Sequence, residues 1–209
     1  MKHHLKISRQ EITIESDWSS ASYLYSIVAL SKRDTRISLK SFFTDSLQGD
    51  SVLAEIYKQF GVETVYENKA ITLIKTNSKL SKINLNLIKT PDIAQTVAVC
   101  CFGLGIACTL SGLHTLKIKE TDRLVALKIE IEKLGGQVQL TDDSLHLMAS
   151  KSIKEDIKIK TYNDHRMAMA FAPLVLKVPI NILEPNVVTK SYATFWKDLL
   201  KIGVKAQLK

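Results

Sequence analysis

A pattern of short strands and helices recurs three times along this chain of 209 residues and limits its possible folds more than any other feature. Each unit begins with a strand-like run and a polar junction, followed by an apolar helix, a second strand and an amphipathic helix. Three junction residues, Ser19, Asp92 and His165, lie about 73 residues apart. Self-similarity at a fixed period is typical of a fold built from repeated units.

The pattern predicts three βαβαββ units within one domain, at residues 4–76, 82–150 and 156–209. The first helix of each unit is apolar on nearly all sides, which predicts burial on all sides, whereas the second helix has one apolar face. We therefore expect a mixed α/β (α+β) domain with the first helices inside and the sheets outside.

The second helices each end at a glycine, namely Gly61, Gly135 and Gly203, as expected where a helix end needs a left-handed residue. A pair of strands follows the first two glycines. The third is followed only by residues 203–209, GVKAQLK.

Composition narrows the class of protein. With 45% hydrophobic residues the chain can bury a sizeable core, and its net charge of +8 suggests anionic partners without identifying one. Its three cysteines have no spacing typical of a zinc site, so we expect reduced core residues. Neither a secretory leader nor a membrane-spanning run is evident, which predicts a cytoplasmic protein with no membrane partner.

The polar junctions place unusual charges where helices begin. Asp92 in TPDIAQT is consistent with a capping carboxylate, which favours the positive end of a helix. His165 and Arg166 in YNDHRMAM, which follow the candidate caps Asn163 and Asp164, are harder to explain, because a cation is unfavourable at a helix N-terminus. Helix N-termini and basic side chains together favour anions.

The stretch KIKETDRL repeats this arrangement with more charge. Thr121 or Asp122 can cap the following helix, which leaves Lys119, Glu120 and Arg123 at its entrance. The predicted buried face of that helix consists of Leu124, Leu127, Ile131 and Leu134. Surface ion pairs contribute only about 0 to 1 kcal/mol, so several basic groups with two carboxylates indicate a site for a multiply anionic ligand.

Five segments in this order resemble the C-terminal portion of the 5-enolpyruvylshikimate-3-phosphate synthase family. The segments are SDWSSASY (16–23), TPDIAQT (90–96), IKETDR (118–123), YNDHRMAM (162–169) and TKSYATFW (189–196). The resemblance spans nearly the whole chain. It implies an inside-out α/β barrel-like domain of three βαβαββ repeats, with buried helices and outer sheets.

The resemblance also implies a reaction. Family members transfer the enolpyruvyl group of phosphoenolpyruvate to the 5-hydroxyl of shikimate 3-phosphate and release phosphate, with no metal or redox cofactor. By this resemblance Asp92 accepts the hydroxyl proton, and Glu120 gives and later removes the methylene proton. Lys119 is implied to lie near the hydroxyl and the phosphate, where it adds charge and contributes to proton transfer.

Further positions are implied to bind substrate. Arg123, Arg166 and Lys190 correspond to residues that bind the phosphate and carboxylate of phosphoenolpyruvate. His165 adjoins this group, with an ordering role as plausible as direct catalysis. Thr115 stands where some relatives carry an asparagine that contacts shikimate 3-phosphate.

Family enzymes are about twice as long as this chain, so the resemblance implies a partner in the missing N-terminal domain, which completes the substrate cleft. We therefore expect weak or absent catalysis by this chain alone. The alternatives are a related enolpyruvyl transferase that acts on a nucleotide sugar, a folded fragment that binds neither substrate, and a non-catalytic anion-binding module. A nucleic-acid partner is not expected, because the basic residues are neither clustered on one helix nor interleaved with exposed aromatic residues.

Overall fold

The computed structural model describes residues 12–205. The predicted first strand, residues 4–14, lies mostly outside this range, as do residues 206–209 at the end of the third unit. The part of that strand within the range, residues 12–14, has no regular secondary structure.

Helices and strands alternate along the described residues. The α-helices are α1 (Trp18–Leu30), α2 (Leu53–Gln59), α3 (Ala94–Leu104), α4 (Arg123–Lys133), α5 (His165–Phe171) and α6 (Phe195–Lys201). The strands are β1 (Arg36–Lys40), β2 (Val62–Glu67), β3 (Ala70–Lys75), β4 (Lys82–Asn86), β5 (Ala107–Ser111), β6 (Val138–Leu140), β7 (Leu145–Leu147), β8 (Ile157–Ile159) and β9 (Ile180–Ile182).

The described strands form three separate open sheets and no closed barrel, with strand orders β1-β3-β2, β4-β5-β7-β6 and β8-β9. In each of the first two sheets one strand, β3 or β7, lies between two others and pairs antiparallel with both. Leu39 opposite Ile71 and Leu110 opposite Leu145 illustrate this pairing. The pairs β4-β5 and β8-β9 are both parallel. The same pairing rules therefore recur along the chain.

The helices α1, α3 and α5 form the centre of the molecule. Every residue of α1 except Ser20 is buried, α3 is buried from Ala94 to Phe102, and α5 from Met167 to Phe171. Helix α3 packs against both α1 and α5, and the hydroxyl of Ser22 bonds that of Thr96 at 3.0 Å across the first interface. The predicted burial of the first helices is confirmed.

The second helices α2, α4 and α6 each bury one side only. The predicted apolar face of α4 is confirmed, because Leu124, Leu127, Ile131 and Leu134 are all buried. The predicted helix at residues 164–176 is interrupted: the α-helix ends at Phe171 and continues as a 3-10 turn, Ala172–Leu176. Pro173 explains the change, since proline lacks the N–H that an α-helical hydrogen bond requires.

The three cysteines are free and buried, as predicted. Burial raises the pKa of the Cys100 thiol to about 12, which keeps that thiol protonated at neutral pH. Within residues 12–205, no helix has both the length and the apolar character needed to cross a membrane.

The glycines after the second helices have the predicted left-handed backbone, with φ of 74° at Gly61, 96° at Gly135 and 89° at Gly203. A Cβ atom built on Gly135 would lie 3.6 Å or more from its nearest neighbours, which belong to the side chain of Lys154. A substitution at Gly135 therefore tests the backbone conformation, because a Cβ atom at that position has enough room.

We predict that Gly135→Ala lowers the free energy of unfolding by about 1 kcal/mol or more, because an L-residue is strained at this φ. Gly135→Asn should lose less, since asparagine tolerates the left-handed region. Urea denaturation of both variants measures the difference. Equal stability of wild type and the alanine variant would contradict the assigned helix end.

Candidate functional site

The charged residues predicted from the sequence lie where α3, α4 and α5 begin. Asp92 belongs to a 3-10 turn, Pro91–Ile93, that leads into α3. Glu120 precedes α4, and Arg123 is the first residue of that helix. His165 and Arg166 open α5. Because α3, α4 and α5 pack against one another, their charged beginnings meet at one place.

Arg123 is the centre of this cluster. Its Nε donates to Asp164 Oδ2 at 2.7 Å, its Nη1 to Asp92 Oδ1 at 3.2 Å, and its Nη2 to Glu120 Oε2 at 2.6 Å. The side chain is only 2% exposed. Arg123 begins α4, as predicted, and its guanidinium lies underneath the two carboxylates that face solvent.

Asp164 is fully buried and holds the guanidinium from below. The same carboxylate caps α5, accepting the backbone N–H of Arg166 at 2.8 Å. The sequence left Asn163 and Asp164 as alternative caps, and the structure selects Asp164. For α4 it selects Asp122, which accepts the backbone N–H groups of Leu124 and Val125.

Asp92 is held by three cations. Arg166 Nη2 donates to its Oδ2 at 3.2 Å, Arg166 Nη1 donates to its backbone carbonyl at 3.1 Å, and Lys119 Nζ lies 3.4 Å from its Oδ1. Burial raises the pKa of Asp92, but Arg166, Lys119 and Arg123 outweigh that effect and hold the pKa below its usual value. Its carboxylate therefore pairs with side chains, which a simple helix cap does not explain.

Glu120 is also ionised. Burial raises its pKa, whereas its backbone N–H and the charges of Arg123, His165 and Arg166 lower the pKa by more. The side chains of Asp92 and Glu120 are 33% and 36% exposed, so both carboxylates remain open to a ligand.

His165 lies beside Glu120, with 3.6 Å between Nδ1 and Oε1. Loss of hydration on burial lowers the pKa of His165, and its neighbours of opposite charge only partly offset this, so the ring is neutral at pH 7. Its Nδ1 is buried and has no hydrogen-bond partner among the described residues.

Lys190 contacts the turn before α5 rather than the ion pairs of the cluster. Its Nζ donates to the carbonyl and the side-chain oxygen of Asn163, at 2.8 and 3.0 Å. The Thr115 hydroxyl is buried, and within the described residues it has no hydrogen-bond partner, so no hydrogen bond of its side chain joins it to the cluster.

The cluster fits an anion better than a metal ion. Ligand atoms of Glu120, Asp164 and His165 lie within 4.8 Å of one another, a spacing that could hold a cation. However, Asp164 and Glu120 already bind the guanidinium of Arg123, whose charge repels a metal. In the ion pairs of the cluster, three cationic side chains, Lys119, Arg123 and Arg166, already neutralise the three carboxylates Asp92, Glu120 and Asp164.

Two contributors were missed by sequence reasoning. Asp164 entered only as a candidate cap, although a carboxylate directly before two basic residues was a signal for a buried ion pair. Asp50 accepts hydrogen bonds from the hydroxyls of Ser19 and Thr90, and so joins the beginning of α1 to the turn before α3. It lies in a 3-10 turn, Gly49–Val52, that leads into α2, and no local pattern in the sequence indicated its contacts with Ser19 and Thr90.

Comparison with known proteins gives a consistent result. A family model described as EPSP synthase (3-phosphoshikimate 1-carboxyvinyltransferase) matches residues 2–199. A curated relative from Bacteroides fragilis, named 3-phosphoshikimate 1-carboxyvinyltransferase, is 45% identical over 194 residues, which cover 91% of this chain and 47% of the relative. The chain thus spans about half the length of the curated relatives it matches.

Two solved structures have the same fold. An EPSP synthase from Acinetobacter baumannii aligns with a TM-score of 0.77 at 22% identity, covering 93% of this chain and 48% of that one. An enolpyruvyl transferase from Streptomyces tendae aligns with a TM-score of 0.67 at 14% identity, covering 93% and 44%.

We predict that Asp92 stabilises the fold only while ionised. Because its pKa is lower in the folded protein, its contribution is present above its ordinary ionisation range and is lost as pH falls through the lowered pKa. The difference in melting temperature between wild type and Asp92→Asn should be constant above about pH 5 and should shrink below about pH 4. A gap independent of pH would contradict this.

We predict that Arg123→Met lowers the free energy of unfolding by about 3 to 5 kcal/mol, because Asp164 is then left buried without a counter-ion. The double variant Arg123→Met/Asp164→Asn should recover part of this, since asparagine is uncharged and can still cap α5. Lys117→Met is the control, because its pair with Asp142 is exposed to solvent and its loss should leave the free energy of unfolding nearly unchanged. Chemical denaturation of the three variants measures these differences.

Proposed function

The chain belongs to the EPSP synthase family, and from that premise we propose that it supplies part of the active site of a 3-phosphoshikimate 1-carboxyvinyltransferase. The reaction transfers the enolpyruvyl group of phosphoenolpyruvate to the 5-hydroxyl of shikimate 3-phosphate and releases phosphate. It belongs to the shikimate pathway of aromatic amino acid biosynthesis.

One observation carries the proposal: two partly exposed carboxylates share one buried guanidinium. Asp92 and Glu120 bind different nitrogens of Arg123, at 3.2 and 2.6 Å, although they lie 28 residues apart in the chain. A reaction that needs one proton donor, one proton acceptor and fixed positive charge requires this combination.

In the first step, Glu120 gives a proton to the methylene carbon of phosphoenolpyruvate, which makes C2 electrophilic. The 5-hydroxyl oxygen attacks C2, its proton passes to Asp92, and a tetrahedral intermediate that still carries the phosphate forms. In the second step, Glu120 takes a proton back from the new methyl group. The bond between C2 and the phosphate oxygen breaks, and the proton held by Asp92 leaves with the phosphate. Lys119 adds positive charge beside the hydroxyl and phosphate.

The charge distribution explains how two ionised carboxylates take different roles. A phosphate or carboxylate bound at Arg123 and Arg166 offsets the positive charges that lower the pKa of Glu120, so that Glu120 gains a proton when the substrate binds. Asp92 keeps the additional charge of Lys119 at 3.4 Å and stays ionised as the acceptor.

The residues around Asp92 and Glu120 bind the substrates. Arg166 and Lys190 bind the phosphate and carboxylate of phosphoenolpyruvate, and Arg123 joins them once the ligand has displaced Glu120 from its Nη2. Planar guanidinium groups suit such bidentate contacts. His165, as a neutral ring, orders Glu120, and Thr115 offers its unpaired hydroxyl to shikimate 3-phosphate.

We also propose that the fold is one domain of three inside-out βαβαββ repeats, at residues 4–76, 82–150 and 156–209. Support comes from the recurring strand pairings and from the buried helices α1, α3 and α5. A separate N-terminal domain would complete the cleft, in the cytoplasm, and the 209-residue chain alone would turn over slowly or not at all.

A chimera tests the reaction. In it, this chain replaces the matching stretch of the Bacteroides fragilis relative, and phosphate release is measured with both substrates. We predict that the chimera releases phosphate only when both are present.

Glu120→Gln in the chimera should cut kcat by about 100-fold or more, the usual scale for lost acid–base catalysis. Glu132→Gln, the same change at an exposed position of α4, should leave kcat unchanged.

Other outcomes separate the alternatives. Phosphate release with a nucleotide sugar, and not with shikimate 3-phosphate, would indicate a related transferase. Steep salt-dependent binding of generic DNA without turnover would indicate a nucleic-acid-binding module. Full activity of the Glu120→Gln chimera would remove Glu120 from the proposed role.

A further inference from the structure

We propose that Glu130, which lies on α4 away from the charged cluster, is a positioning residue that fixes the turn carrying His165 and Arg166. Its effect on substrate binding rests on the proposed function, whereas its effect on the turn does not. The turn comprises residues 160–166, which follow β8 and include the first two residues of α5.

The turn needs outside support because its backbone is strained. Tyr162 and Asn163 have φ of 55° and 58°, so two consecutive residues with side chains adopt the left-handed region. L-residues seldom adopt this conformation, and they persist in it only where surrounding contacts require it.

Glu130 supplies such contacts from a fully buried position. Its Oε1 accepts the hydroxyl of Tyr162 at 2.7 Å, and its Oε2 accepts the backbone N–H of Lys160 at 3.2 Å. Lys133, one turn further along α4, provides the counter-charge. Lys160 Nζ lies 5.2 Å from the centre of the Tyr162 ring, so the ring is held at its face as well as at its hydroxyl.

The position of Glu130 on α4 explains its reach. Glu130 follows Arg123 by seven residues, which is about two helical turns, so both side chains leave the same face of the helix. Arg123 holds the end of the turn through Asp164, and Glu130 holds its beginning. Lys190 also binds Asn163 in this turn. These contacts together fix the direction in which α5 starts, and therefore the position of Arg166.

The chemistry of these contacts favours a carboxylate. The Lys160 N–H and Lys133 can only donate, and both contact Oε2, whereas the Tyr162 hydroxyl at Oε1 can donate or accept. In Glu130→Gln the amide oxygen can serve Lys160 only if the NH₂ group faces Tyr162, whose hydroxyl must then turn to accept. Glu130→Gln therefore keeps the size of the side chain but removes the counter-charge to Lys133 and replaces charge-assisted hydrogen bonds with weaker neutral ones.

The test uses the 209-residue chain, with backbone amide NMR signals recorded alone and during titration with phosphoenolpyruvate. We expect Glu130→Gln to shift the amide signals of residues 160–166 before ligand is added, and to raise Kd on the order of tenfold, because small displacements of binding groups carry large penalties. Tyr162→Phe, which removes only the hydroxyl, should act in the same direction by a smaller factor. It also keeps the test valid if Glu130→Gln does not fold.

Two controls separate positioning from general stability. Ile131→Val removes one buried methylene next to Glu130 and should lower the melting temperature with no change in Kd. Glu132→Gln makes the same chemical change on the exposed side of α4 and should alter neither quantity.

The outcomes distinguish the two proposals. Unchanged amide signals in residues 160–166, or an unchanged Kd in a folded Glu130→Gln chain, would overturn the positioning role. Absence of phosphoenolpyruvate binding by wild type would count against the proposed function of this chain alone. In that case the amide signals of Glu130→Gln and Tyr162→Phe still decide whether Glu130 fixes the turn.

Discussion

The burial of one guanidinium is the constraint on which the rest of this site depends. A charged group removed from water is unfavourable unless it is fully paired, and Arg123 meets this condition only with carboxylates from three segments of the chain. The 3-10 turn before α3, the residue before α4 and the cap of α5 must therefore lie together. Breaking the pair between Arg123 and Asp164 would leave two buried charges without their closest partner, so the beginnings of α4 and α5 are held together.

The same arrangement leaves ionised groups at the surface of the site, where a charged ligand can reach them. Asp92 and Glu120 are ionised and about one third exposed, whereas Asp164 beneath them is closed to solvent. A ligand with negative groups would compete with the upper carboxylates for Arg123 and Arg166 while the lower pair remains. The structure thus separates the ion pair that holds the fold from those that a substrate can exchange.

Buried packing decides where these groups stand. The apolar helices α1, α3 and α5 fill the centre, so their first turns open on a common side. At that side α5 begins only after two left-handed residues, which Glu130 and Lys190 contact from neighbouring elements. The strained backbone conformation of the turn persists because hydrogen bonds from well-packed elements hold it in place.

The sequence by itself determined what depends on near neighbours: which helix faces are apolar, where Gly61 and Gly135 end helices, and that acids and bases such as Glu120 and Arg166 stand at helix starts. These features repeat over three or four residues, and helical geometry alone converts them into structure. Only the tertiary structure decided that the Arg123 side chain is buried, that Asp164 is its main partner, and that Glu130 reaches Tyr162. Those contacts join residues 32 to 41 positions apart, and their distances follow from how the elements pack, which no local pattern records.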